Sequence, residues 1–327
     1  MADHWRLFHG DNIQRDDVSF PKPPPWRDLQ KTAEHRGETY IATPEAIDAV
    51  NAALHLRRPL LVEGPPGVGK SSLAYKVARE LRLGNVRHWP INSRSTLREG
   101  LYQYDAMGRM HHLSRKQPEG NAAINAAVEN DAIERFITLK ALGTSLIPAE
   151  KPMVVLIDEI DKSDIDLPND LLHVLENGSY HIPELERIRK ERSEVEILID
   201  PGEGAEDQVT ATIRNGLVQA TCFPFIVITT NGERELPPAF LRRCIRHSIK
   251  MPERARLEEI VRAHLGTASA TAEATSLIEE FLKLFEQGNA VAVDQLLNAV
   301  FVATSLPKPS EEQWRRVKSL MLNPLNE

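Results

Sequence analysis

The chain has 327 residues, enough for about two domains, and 41% hydrophobic with 27% charged residues is the balance of a water-soluble globular protein. A formal net charge of −7 argues against a general nucleic-acid binder, and two cysteines, Cys222 and Cys244, make neither a disulfide framework nor a metal cluster. No apolar stretch reaches membrane-spanning length and the first ten residues lack a signal-peptide pattern, so the cytoplasm is the expected compartment.

Residues 1–30 read as an extended arm. Trp5, Leu7 and Phe8 are apolar anchors, and Pro21, Pro23, Pro24 and Pro25 favour polyproline II before Trp26. The tryptophans predict that the arm packs on the body or on a neighbouring subunit. Thr43-Pro44-Glu45 reads as a capped helix start, with Ile47, Val50 and Leu54 on one face.

Leu60, Leu61 and Val62 form a short apolar run suited to a buried strand. Gly64 to Ser71 then match G-x-x-x-x-G-K-[ST], and from Ser72 the apolar residues Leu73, Val77 and Leu81 recur at helical spacing. Strand, glycine loop and helix are the context in which this motif binds phosphate. Gly64, Gly67 and Gly69, with Pro65, Pro66 and Val68 between them, let the backbone turn its N–H groups onto phosphate oxygens. The helix dipole at Lys70, Ser71 and Ser72 favours the same anion. Lys70 can reach the β- and γ-phosphates, and the Ser71 hydroxyl can ligate Mg²⁺.

A second strand is expected over 86–91, ending at Asn92. Residues 96–150 are mixed: 101–113 could fold as a hairpin or an irregular projection, and 121–142 carry helical spacing. Met153 to Ile157 form another apolar run, a central strand that emits Asp158 and Glu159 at its carboxyl end. An aspartate there can hold Mg²⁺, and the adjacent glutamate can deprotonate an attacking water. Leu167 to Glu176 read as a short helix stopped at Asn177-Gly178. Residues 195–199 and 209–213 flank a turn-rich acidic loop and predict a hairpin with a long tip. A buried strand follows over 224–230 and ends at Asn231. A short helix over 236–243 carries Arg242 and Arg243 at its end, and 245–249 form the last expected strand.

Beyond residue 252 the apolar residues recur only at helical spacing. Leu257, Val261 and Leu265, then Ile278, Phe281 and Phe285, then Val293, Leu297 and Val300 mark three helices. Ser310 and Gln313 make a capping box for a fourth. His264 lies on an apolar stripe and reads as a packed histidine rather than a ligand.

Together these motifs resemble an AAA+ ATPase, over about residues 43–306. Gly64 to Ser71 look like Walker A, Val154 to Glu159 like Walker B, and Asn231 like sensor 1; Asn92 is a candidate partner that restrains Glu159. The insertion at about 96–150, the hairpin at about 195–218, and the phrases Arg58-Pro-Leu-Leu-Val, Ser93-Arg-Ser-Thr-Leu and Val293-Asp-Gln-Leu-Leu-Asn are similar to those of the MoxR branch. The resemblance implies an α/β P-loop NTPase parallel sheet with an all-α lid. With the Trp/Pro-rich arm at 1–42 read from the residues themselves, it implies a nucleotide-binding domain at 43–250 and a lid at 251–327. It implies ATP and Mg²⁺ as ligands, ATP hydrolysis to ADP and phosphate, and a homo-oligomer, typically a hexameric ring. A protein client or a partner with a von Willebrand factor A domain is implied, in some family members within bacterial antiphage systems; membrane and direct nucleic-acid ligands are not expected. Catalytic roles fall to Glu159, Asn231 and a trans-acting arginine, Arg243 or, second, Arg242. Sensor 2 is the departure: residues 288–293 contain no arginine. A nucleotide-gated scaffold, in which binding matters more than turnover, shares every motif with a remodelling enzyme.

Overall fold

The computed structural model describes residues 5–28, 32–115, 133–205, 207–266, 271–307 and 309–324. The chain divides into two compact units. One comprises Thr43–Glu63 and Val77–His247; the other comprises Met1–Ala42, Gly64–Lys76 and Ser248–Glu327.

The first unit is built on a five-stranded sheet. Its strands are β1 (Leu60–Glu63), β2 (Arg87–Pro90), β5 (Val154–Asp158), β10 (Phe225–Thr230) and β11 (Ile245–Ser248), in the spatial order β11-β1-β10-β5-β2. β1, β10, β5 and β2 run parallel. Every residue of β10 is buried, as are Val154 to Ile157. A strand covered on both faces needs apolar side chains at every position, which is why these segments are continuous apolar runs instead of alternating ones. Helix Pro44–Leu56 precedes β1; Thr43 caps it by accepting a hydrogen bond from Ala46 N (3.2 Å). Helix Leu167–Asn177 ends, as its Asn-Gly predicts, with Gly178 in the left-handed region (φ 61°).

The same unit holds a second, six-stranded sheet. Its strands are β3 (Tyr102–Tyr104), β4 (Ile137–Leu139), β6 (Ser179–His181), β7 (Glu194–Ile199), β8 (Val209–Arg214) and β9 (Leu217–Gln219), in the order β3-β4-β7-β8-β9-β6. The expected hairpin is β7 and β8, antiparallel from Glu194↔Arg214 to Ile199↔Val209. Asn215 and Gly216 (φ 53° and 73°) then turn the chain tightly into β9, the positive φ pair that an Asn-Gly hairpin turn requires.

The insertion departs from two expectations. Residues 101–113 form neither a hairpin nor an irregular projection: Tyr102–Tyr104 pairs with β4, and helix Ala106–Arg115 follows. The helix expected over 121–142 fails where it can be seen. Residues 121–132 lie outside the described residues, and the remainder is a 3₁₀ turn (Ile133–Phe136), then β4, then the start of helix Ala141–Ser145. Ile137 and Leu139 are fully buried on either side of half-buried Thr138, a period of two that the nearby isoleucine and valine spacing masked. Cys244 is buried, its thiol pushed up to about 12 by burial, and Cys222 is half-buried.

The second unit is helical: Thr32–Thr39, Arg254–Leu265, Ala272–Glu286, Val293–Ser305 and Glu311–Met321. Leu257, Val261, Ile278, Phe281, Leu296 and Val300 form its core, and the expected capping box of Ser310 and Gln313 is present. Trp26 packs on this unit. Its Nε1 donates to Asn298 Oδ1 (3.2 Å), and its ring meets His264 and Phe301 edge-on. His264 is a packed histidine, held through Nδ1 to Ile260 O (2.8 Å). Phe8 and Phe20, also in the arm, are exposed.

Candidate functional site

The glycine loop leaves β1 and turns twice through the left-handed region, at Gly67 (φ 75°) and Gly69 (φ 91°). Gly64 has no room for a side chain, since a Cβ there would lie 2.5 Å from Ile249 O. Pro66 and Gly67 form the exposed tip, Pro65, Gly69, Ser71 and Ser72 are half-buried, and Val68 is buried in the helical core of its unit. Lys70 is buried, its Nζ donating to Gly64 O and Pro65 O, both 2.8 Å away. Ser72 N bonds Gly69 O (3.1 Å) and Ala74 N bonds Ser71 O (3.2 Å), so the chain is already winding before helix Ser72–Glu80 begins. The loop thus gathers a buried ammonium and a helix N-terminus on one short glycine-rich segment, a set suited to a polyphosphate.

The acidic pair sits in the other unit at the carboxyl end of β5. Register places it: Glu63 pairs with Thr230, Ile157 with Ile228 and Asp158 with Pro90, so β1, β10, β5 and β2 finish at one sheet edge. Both carboxylate oxygens of Asp158 are oriented. Oδ1 accepts from Thr229 Oγ1 (2.5 Å), and Oδ2 lies 3.2 Å from His88 Nε2. Thr229 Oγ1 also accepts from Glu159 N (2.8 Å), which fixes the residue just after the strand. Glu159 itself lies in the left-handed region (φ 63°, ψ 52°), a conformation that costs a non-glycine residue about 1 kcal/mol or more and so marks a position where strain is held. Its carboxylate is half-exposed and pairs with Lys162 Nζ (2.6 Å).

His88 sits between two carboxylates, with Nδ1 2.9 Å from Glu203 Oε1 as well. Burial lowers its pKa, but the bonds to Asp158 and Glu203 outweigh that and carry it up to about 9.

Asn231 follows β10. Its backbone N–H and that of Glu233 both donate to Asp161 Oδ2 (3.0 and 3.1 Å), and its side-chain Nδ2 donates to Glu233 Oε1 (3.2 Å). Asp161 is buried. A cleft of about 410 Å³ opens beside these residues, lined by Asn92, Ser93, Asp161, Lys162, Glu233 and Arg234. Asn92 does not restrain Glu159 as expected: its Oδ1 accepts from Arg94 N (2.9 Å), closing its own loop, and Lys162 takes that place. Arg243 pairs with Glu176 and donates to Ala239 O (3.0 Å); Arg242 is exposed beside it.

The structure therefore brings Asp158, Glu159 and Asn231 to neighbouring strand ends and holds the two arginines on a different element. Sequence reading missed three residues here. Lys162 was findable from its position one helical turn beyond Glu159. Thr229 and His88 were not, because each acts across a strand pairing that no local pattern reveals. The hydroxyl of Ser71 in one unit and the carboxylate of Asp158 in the other are each hard oxygen donors of the kind Mg²⁺ takes.

A parallel sheet in which β1 feeds a G-x-x-x-x-G-K-S loop and β5 ends at Asp158, with Glu159 next, defines a phosphate-loop nucleotide-binding protein. Residues 59–244 match the AAA domain of the dynein-related subfamily, more than half of the chain, and the chain belongs to that family. No curated protein matches it. Among the described residues no helix is long and apolar enough to cross a membrane.

Proposed function

We propose that this protein is a MoxR-type AAA+ ATPase that hydrolyses ATP in an oligomeric ring, in the cytoplasm, to remodel or activate a partner protein. The observation that carries the nucleotide reading is the glycine loop with its buried Lys70, on a chain whose β5 ends at Asp158 with Glu159 next. The β7–β8 hairpin ahead of β10 and the long insertion ahead of β5 support the MoxR branch. Functionally we divide the chain into an arm (1–42), a nucleotide-binding domain (43–250) and a lid (251–327). A von Willebrand factor A protein is the partner class this reading favours, and antiphage defence the setting.

In this reading the N–H groups from Gly64 to Ser72 hold the phosphates. Lys70 exchanges its two loop carbonyls for phosphate oxygens. Ser71 and Asp158 hold Mg²⁺, which supplies positive charge to the phosphate oxygens when bound. Glu159 turns from Lys162 toward a water and takes its proton as the water oxygen bonds to the γ-phosphorus. The bond from that phosphorus to the β–γ bridging oxygen breaks, and ADP and phosphate result. Asn231 orients the water, and Asp161 fixes the backbone that carries Asn231. An arginine of the Arg242–Arg243 pair completes the site of a neighbouring subunit.

Equilibrium binding of a fluorescent ATP analogue and phosphate release test this together. Lys70→Ala is expected to lose most nucleotide affinity. Glu159→Gln is expected to bind with wild-type affinity and release phosphate at least 100-fold more slowly, within the range one general base supplies. Wild-type binding by Lys70→Ala, or wild-type turnover by Glu159→Gln, would overturn the corresponding role.

A further inference from the structure

His88 reaches out from β2 to two carboxylates that belong to different elements. Nε2 lies 3.2 Å from Asp158 Oδ2 on β5, and Nδ1 lies 2.9 Å from Glu203 Oε1 in the tip joining β7 to β8. The tip is also latched to the β2 region by its backbone. Glu203 N donates to Val86 O (2.9 Å), and Arg87 Nε donates to Asp200 O (3.1 Å). Gly202 (φ 88°) fits closely enough against Asn85 that a Cβ there would lie 2.7 Å from the Asn85 Cβ. The hairpin tip, His88 and Asp158 therefore form one hydrogen-bonded line, and Thr229 continues it from Asp158 to the backbone of Glu159.

We propose that His88 is a positioning residue through which the docked β7–β8 tip sets how well Asp158 holds Mg²⁺. Hydrogen-bond partners behind a metal ligand fix its orientation, and losing one costs roughly 10- to 100-fold in metal affinity. A hairpin that is pulled off β2 by a bound protein would take Glu203 from His88 and so weaken the metal hold of the same subunit. The inference rests on Asp158 being a metal-holding residue.

The test is Mg²⁺ titration of fluorescent-ATP binding to the full chain, with thermal unfolding measured in parallel. His88→Ala is expected to raise the Mg²⁺ midpoint about 10-fold. Glu203→Ala is expected to raise it in the same direction, and the two changes together no more than His88→Ala alone. His88→Gln keeps a donor for Asp158 but cannot also serve Glu203. It should hold a midpoint near wild type, and adding Glu203→Ala to it should change nothing. The Gln pair decides the matter if His88→Ala fails to fold. Midpoints within twofold of wild type in His88→Ala and Glu203→Ala, or a His88→Gln protein that still responds to Glu203→Ala, would overturn the proposal. Asp158→Asn separates the underlying reading: it should abolish the Mg²⁺ dependence, and a wild-type midpoint there would overturn the metal role of Asp158 and the inference with it.

Discussion

Gly67 shows how tightly single residues of the phosphate loop are specified. At φ 75° a Cβ would stand 2.7 Å from Asp294 Oδ1 and 3.0 Å from both Ala292 Cβ and Val293 N. Asp294 could swing away, but the backbone nitrogen cannot. Gly67→Ala therefore adds a left-handed alanine and a backbone clash, and is expected to destabilise by about 1–3 kcal/mol. Thermal unfolding should show a lowered Tm, and ATP binding should weaken alongside it; an unchanged Tm would show that the loop can rearrange freely. This part of the site was legible in the sequence because glycine positions in a phosphate loop are a local necessity. Asp158 and Glu159 were legible for the same reason, being covalently the end of an apolar run. The partners that aim them were not. Thr229 and His88 sit on strands that are neighbours in space and distant in sequence, and the ion pair of Glu159 with Lys162 depends on a 3₁₀ turn whose start is a left-handed glutamate.

Elements were legible in proportion to how far they satisfy themselves. Helices with their own caps, such as Pro44–Leu56 and Glu311–Met321, and strands buried on both faces, such as β5 and β10, announce themselves. The strands β3, β4, β6 and β9 have three residues each and exist only through their pairings, so no window of sequence contains enough of them. The helical unit carries a pH dependence of its own. His35 meets His264 edge-on at 5.3 Å, and burial holds both below the ordinary histidine pKa, Glu38 opposing this at His35. The folded state then binds fewer protons than the unfolded state, whose histidines titrate near 6.5. Stability from this pair is complete above about pH 6.5 and falls as the pH drops through the depressed folded values. His88 has the opposite sign, since its raised pKa gives stability below about 6.5 that fades as the pH rises through about 9. Thermal unfolding between pH 7.5 and 5.5 should show the double variant His35→Phe/His264→Phe losing less Tm on acidification than wild type. An equal loss in both would rule out this pair as the source.

At the scale of the whole molecule, the proposed mechanism calls for a positive charge on the γ-phosphoryl group beyond that of Lys70. In the proposed mechanism Lys70 is the phosphate cation, Asp158 a metal ligand and Glu159 the base. His88 and Lys162, which pair with Asp158 and Glu159, are each engaged with carboxylates, and in the proposed mechanism a second cation is needed to balance charge spreading over the γ-phosphoryl group. AAA domains commonly assemble as rings, which lets a neighbour provide it. Arg243 and exposed Arg242 follow helix Pro238–Leu241, on an element separate from β5. Arg243 is held by Glu176 at the end of helix Leu167–Asn177. The Glu176 carboxylate is exposed to solvent, so exchanging it for a phosphate costs little. A trans arginine accelerates phosphoryl transfer by about 10³–10⁵ in well-studied systems, and its planar fork makes lysine a poor substitute. ATPase rate per subunit should accordingly rise with protein concentration. Arg243→Ala subunits, inactive alone, should recover phosphate release when mixed with Lys70→Ala subunits, because the latter still present Arg243 to the intact loops of the former. Arg243→Lys should recover far less than wild type. Full activity of Arg243→Ala alone, or no recovery in rings verified to be mixed, would remove Arg243 from this role and assign it to Arg242, whose alanine variant should then behave in the same complementing way.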